Sequence, residues 1–137
     1  MQELTLTATL ENIAEATAFV DEQLEALDCP MKAQMQLDIA VDELFGNIAR
    51  YAYAPGTGDA TLRFEHDAAS GMVSLTFIDA GVPYDPLKKD DPDVTLSSQE
   101  REVGGLGIFL VKKTMDDMRY EYRDGKNILT ILKKIGI

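Results

Sequence analysis

The chain has 137 residues, enough for one domain with a core that needs no disulfide or metal staple. Hydrophobic residues at 45% and charged residues at 27%, with 10 Gly and 5 Pro, exclude a low-complexity or disordered chain. Thirteen Lys and Arg against 24 Asp and Glu leave a formal charge of -11, which repels a phosphate backbone and argues against nucleic acid as a partner.

From the N-terminus, Leu4, Leu6, Ala8 and Leu10 alternate with polar residues over 3–10, the period of a strand with one buried face. MQELTLTATLENIAEA contains no apolar core of a secretion signal. The longest apolar run, LGIFLV, is far short of a membrane span, so no membrane association and a cytoplasmic location are expected. Asn12 followed by Glu15 resembles a capping box, and Ile13, Ala16, Val20, Leu24 and Leu27 recur at helical steps, predicting an amphipathic helix that ends before Asp28-Cys29-Pro30. Cys29 is the single cysteine and belongs to no CxxC or Cys/His pattern, which fits a reducing compartment.

A second helical stripe, Leu37, Val41, Leu44, Ile48 and Ala52, predicts a long helix over 31–52 that stops before Ala54-Pro55-Gly56-Thr57-Gly58. Strands follow over 60–66 and 72–79, joined as a hairpin. Between Gly81 and Gly104 the periodicity is lost to Pro83, Pro86, Pro92 and a polar run, and a loop of that length inside a domain is functional or mobile. A helix over 107–115 and strands over 118–123 and 126–134, turning at Asp124-Gly125, complete the chain. This order predicts an α+β fold: a two-layer sandwich in which a mixed, mostly antiparallel sheet is covered by helices on one face.

Three places carry residues suited to chemistry. On the second helix, Glu43 and Asn47 are four apart and share a face, with Arg50 a further turn along. That face fits a solvated surface, and it equally supplies a general base and a neutral oxygen ligand for a magnesium-bound phosphate. At the end of an apolar strand, Asp79 is followed by Gly81. The pair reads as a turn former, or as a carboxylate accepting a hydrogen bond from an exocyclic amine while the glycine lets a flat base approach. In GGLGIFLV, bare backbone opens a helix, so Gly104, Gly105, Leu106, Gly107 and Ile108 present N–H groups able to bind phosphate; a close-packed turn under a buried helix explains the glycines as well. The stretch matches neither a Rossmann fingerprint nor a Walker P-loop.

Taken in order, these pieces resemble the superfamily that joins gyrase, the large heat-shock chaperone, histidine kinases and mismatch-repair ATPases, whose ATP site is called the Bergerat fold. Glu43-Leu44-Phe45-Gly46-Asn47 looks like its N box, Asp79-Ala80-Gly81 its first glycine box and Gly104-Gly105-Leu106-Gly107 its second, with an ATP lid over 87–103. Length, Tyr84-Asp85-Pro86 and GGLGIFLV look most like the bacterial anti-sigma factor serine kinases of the RsbW type, over essentially the whole chain. The resemblance implies that Asp79 reads the adenine amine, Asn47 coordinates Mg2+, the N–H groups from Gly105 to about Ile108 cradle the β and γ phosphates, and Glu43 is the general base. Arg50, Gly81 and Gly104 are counted with the nucleotide-contacting residues. Two positions depart from the family: Tyr51 stands where many members carry His, and Asn127 where a late strand presents Thr, from which a water-mediated contact to the base is expected. The only histidine, His66, falls in a predicted strand.

The implied function is an ATP-dependent serine kinase that phosphorylates an anti-anti-sigma antagonist and sequesters a sigma factor, acting as a homodimer. The alternative is a nucleotide-gated module that captures its partner without phosphorylating it.

Overall fold

The computed structural model describes residues 1–88 and 105–135. The expected ATP lid beyond Lys88, and Gly104 with it, lie outside the described residues.

Five strands, β1 (Gln2–Thr7), β2 (Asp59–Asp67), β3 (Met72–Asp79), β4 (Asp117–Arg123) and β5 (Lys126–Lys134), form one sheet in the order β1-β2-β3-β5-β4. The α+β class and the sandwich are as expected, but every described pair is antiparallel, so the sheet is not mixed. The reason is topological. The crossover after β3 returns the chain to β4 running the same way as β3, and β5 then folds back between them, so the two like-directed strands never pair.

Strand alternation sorts the sheet into two faces. Leu62, Phe64, Val73, Leu75, Phe77, Leu129 and Ile131 are buried on the face that meets the helices. On the other face polar neighbours pair across strands: the Thr5 and Thr61 hydroxyls at 2.8 Å, those of Thr76 and Thr130 at 3.1 Å, and Arg63 with Glu3 at 2.7 Å. Three helices cover the apolar face: α1 (Ile13–Ala26), α2 (Met31–Asn47) and α3 (Gly105–Thr114). Each turns its apolar stripe inward: Ala16, Val20 and Leu24 on α1, Leu37, Val41 and Leu44 on α2, Ile108 and Val111 on α3. Because α2 packs against both α1 and α3, it is the central helix of the layer.

Element ends depart from the sequence reading most at three places. Asn12 caps no helix with its side chain; a 3-10 turn over Leu10–Asn12 precedes α1, and Asn12 Nδ2 donates instead to the Thr7 carbonyl at 2.8 Å. The long helix expected to reach Ala52 leaves α geometry after Asn47 and continues as a wider π turn over Ile48–Ala52. Single π turns within helices gather at functional sites. This one carries the Ala52 carbonyl to the Val82 N–H at 3.0 Å, joining the end of α2 to the exit of β3. The first strand ends at Thr7, short of the expected Leu10. The Asp124-Gly125 turn is as read: φ values of 55° and 76° are the left-handed pair that a two-residue hairpin requires.

Candidate functional site

A cleft of about 150 Å³ opens between the end of α2 with its π turn, the exit of β3 and the start of β5. Buried Leu44, Phe77 and Leu129 line its inner part, while Tyr51 and Tyr84 line it as half-exposed side chains. An apolar slot walled by aromatic rings suits a flat ring system.

The polar end of this slot is built by register. Asp79, last residue of β3, lies directly opposite Asn127 on β5, so both side chains face the helical layer. They are the two buried polar side chains among the described residues, 7% and 6% exposed. Burying a carboxylate is costly unless it is hydrogen-bonded. Asp79 Oδ1 accepts the Gly81 N–H at 2.9 Å and the Asn127 Nδ2 donor at 2.9 Å. Among the described residues no hydrogen bond goes to Oδ2, so the carboxylate keeps one acceptor for a donor entering the cleft.

Gly81 also has a packing reason for its bare backbone. A Cβ there would overlap the Ala52 carbonyl group, so the bare backbone lets β3 exit against the π turn. Tyr53 strengthens the same junction, donating its hydroxyl to the Asp59 carbonyl at 2.6 Å and accepting the Ala80 N–H at 2.7 Å. Burial raises the Tyr53 phenol above its usual range, as it does Tyr120 beside Asn127, so both remain neutral donors at physiological pH.

Beside the cleft, α2 presents half-buried Glu43 and, one turn later, Asn47, which lines the cleft. The start of α3 packs on this turn: a Cβ on Gly107 would fall on the Glu43 carboxyl group. The glycine thus brings helical backbone into contact with a carboxylate. The first N–H groups of a helix have no partners within it and carry its positive end, so the first turn of α3 offers anion-binding donors next to a potential base. Ile108, expected among the phosphate-contacting residues, has its side chain buried in the core and contributes only backbone to that turn.

The structure therefore gathers Asn47, Asp79 and Asn127 at one cleft, with Glu43 and Gly107 touching at its side. Arg50 is not among the cleft-lining residues: it is exposed and lies over Gly46, its guanidinium nitrogen 3.0 Å from where a Cβ would stand. Tyr51, to which the sequence assigned no role, lines the cleft. Tyr53 and Tyr120 were missed altogether, and Tyr84 entered only within the Tyr84-Asp85-Pro86 resemblance, with no role assigned to it. For Tyr120 a signal existed: the two-residue turn pairs Tyr122 with Asn127, which sets Tyr120 diagonal to Asn127 on the same face.

Comparisons with known proteins identify a family. The family model of the histidine kinase-like ATPase domain matches residues 6–133. Serine/threonine-protein kinase BtrW of Bordetella bronchiseptica is 31% identical over 100 residues, covering 73% of this chain and 70% of that protein. Serine-protein kinase RsbW of Listeria monocytogenes is 26% identical over 125 residues, covering 88% and 73%. Among solved structures, the histidine kinase domain of the Erythrobacter litoralis EL346 blue-light activated histidine kinase aligns with a TM-score of 0.51 at 16% identity, over 77% of this chain and 46% of that one, a likeness of fold.

Proposed function

The chain belongs to the histidine kinase-like ATPase domain family, and we propose that it is an ATP-dependent protein serine kinase that phosphorylates an antagonist protein and sequesters a sigma factor. The observation that carries this reading is the pairing of two carboxylates in different settings. Asp79 is buried, held through Oδ1 and lines an apolar slot, with no hydrogen bond to Oδ2 among the described residues. Glu43 lies at the start of α3, one helical turn from Asn47. In this reading the first recognises a base and the second accepts a proton. The kinase names of BtrW and RsbW support the same reading.

In this proposal Asp79 Oδ2 accepts the adenine amine while Tyr51, Tyr84 and the apolar residues exclude water from the ring. The N–H groups at the start of α3 hold the phosphates. Glu43 takes the proton from the serine hydroxyl as its oxygen bonds to the γ-phosphorus and the bond from that phosphorus to the ADP oxygen breaks. Among the described residues no cluster of three His, Cys, Asp or Glu could form a metal cage. Asn47 fits a magnesium ion that takes most of its ligands from phosphate and water, since such an ion needs few protein oxygens. Bound there, magnesium would neutralise charge developing on the phosphates.

The lid over 87–103, a homodimeric assembly, a single domain over 1–137 and a cytoplasmic site of action belong to the same proposal. No described helix is long and apolar enough to cross a membrane. Two measurements test the reading. Mg-ATP or Mg-ADP at ~100 times its dissociation constant should stabilise the protein by about 2.7 kcal/mol; no stabilisation at any concentration removes the nucleotide site. Incubation with Mg-ATP and the cognate antagonist should produce phosphoserine. Nucleotide binding without transfer would leave only a nucleotide-gated capture module.

A further inference from the structure

Asn127 has the capacity to bind a base and does not have the freedom. A carboxamide offers two N–H donors and two acceptor positions. Its Nδ2 donates to Asp79 Oδ1 at 2.9 Å and to the Val82 carbonyl at 2.9 Å. Its Oδ1 accepts the Tyr84 N–H at 3.0 Å and the Tyr120 hydroxyl. The surroundings also fix which end is which. Both groups facing Nδ2 can only accept and the Tyr84 N–H facing Oδ1 can only donate, so a flipped amide would be wrong at three of its four contacts; only the Tyr120 hydroxyl could serve either end. With every position filled by protein, Asn127 retains nothing for a nucleotide, directly or through water.

The four partners sit where orientation matters. Val82 and Tyr84 belong to the cleft-lining segment after Gly81, Asp79 ends β3, and Tyr120 comes from the edge strand β4. One side chain on β5 therefore ties together two neighbouring strands and the wall of the cleft. On Asp79 it shares Oδ1 with the Gly81 N–H, which leaves Oδ2 without a hydrogen bond among the described residues on a side chain that lines the cleft.

We propose that Asn127 is a positioning residue for base selection: its saturated carboxamide locks the rotation of the Asp79 carboxylate and holds the 82–84 segment in place, so that a lone acceptor meets the base and a purine with an amine, not an oxo group, at position 6 is chosen. The proposal rests on the cleft being the nucleotide site. An oxo group would set oxygen against oxygen, and a buried unpaired acceptor is strongly rejected. In Asn127→Ala the carboxylate keeps only the Gly81 N–H, can rotate, and admits water where the amide stood.

Calorimetric affinities for ATP and for ITP, whose base carries the oxo group, test this in the native sequence, Asn127→Ala and Tyr120→Phe. The native protein should prefer ATP. Asn127→Ala should lose at least about tenfold in the ATP-to-ITP ratio, equivalent to about 1.4 kcal/mol, with KM for ATP raised and kcat at saturating ATP retained. Tyr120→Phe, which leaves three of the four bonds, should show the same change to a lesser degree. Parallel losses for both nucleotides in Asn127→Ala would overturn the proposal. So would tighter ATP binding in Tyr120→Phe, because a freed Oδ1 would then be acting as a ligand. If the alanine variant does not fold, an unchanged ratio in Tyr120→Phe is sufficient to reject it. A native protein that binds neither nucleotide refutes instead the nucleotide site itself.

Discussion

A methyl group added at Gly107 would fall on the Glu43 carboxyl group, whereas one added at Gly81 would fall on the Ala52 carbonyl. The two obstacles differ in freedom. A carboxylate at the end of a flexible side chain can swing aside, but the Ala52 carbonyl is held by the Val82 N–H at 3.0 Å. Gly107→Ala should therefore fold normally, helped by about 0.5–1 kcal/mol of helix propensity, while displacing Glu43, the proposed base, and slowing phosphoryl transfer by about 10²-fold. A thermal melt beside a transfer assay checks this; an unchanged transfer rate would mean the Glu43 position is not critical. Gly81→Ala should show the opposite balance, with overpacking costing about 1–3 kcal/mol in urea unfolding. From the sequence these glycines were read as openings for phosphate and base. Their actual neighbours stand 64 and 29 positions away, and no local pattern reports contacts at that separation.

The pairing of α1 with α2 places acidic groups together between elements. Asp38 on α2 is pushed up to about 7, first by burial and then by Asp21 and Glu25 on α1. Gln34 Nε2 donates to Asp21 Oδ1 at 3.1 Å in the same contact. A carboxyl that holds its proton more tightly when folded favours the folded state as pH falls from about 7 toward its ordinary 3.8. The same contribution is lost as pH rises through about 7, so this contact is weakest in alkaline solution. Asp38→Asn, which cannot ionise, should be more stable than the native sequence at pH 8.5, with the difference narrowing by pH 5. Unfolding curves that remain parallel at both pH values would refute the assignment. Elements differed in how far the sequence disclosed them. Helical stripes and the Asp124-Gly125 turn were legible because their periodicity and required φ are local. The π turn was not, since Ile48 and Ala52 continue the apolar stripe without interruption. Asn12 has the residue type of a cap, yet its side chain reaches back to Thr7, a choice made by the arriving strand.

At the scale of the molecule, one sheet face and one cleft bring the candidate site together. The order β1-β2-β3-β5-β4 puts the end of β3 beside the start of β5, and α2 lies over that junction with Glu43 and Asn47 on successive turns. Motif order in the sequence was enough to point to an ATP site, because three short boxes at domain-scale spacing constrain a fold more than any one of them does. The antiparallel insertion of β5 and the clamp around Asn127 were hidden, as both depend on which strands become neighbours. The most direct test of the account is single-turnover phosphoryl transfer to the antagonist by Glu43→Gln, with ATP affinity measured on the same samples. The account predicts ATP affinity close to that of the native protein and transfer slowed by about 10²–10⁴-fold; transfer at the native rate would contradict it.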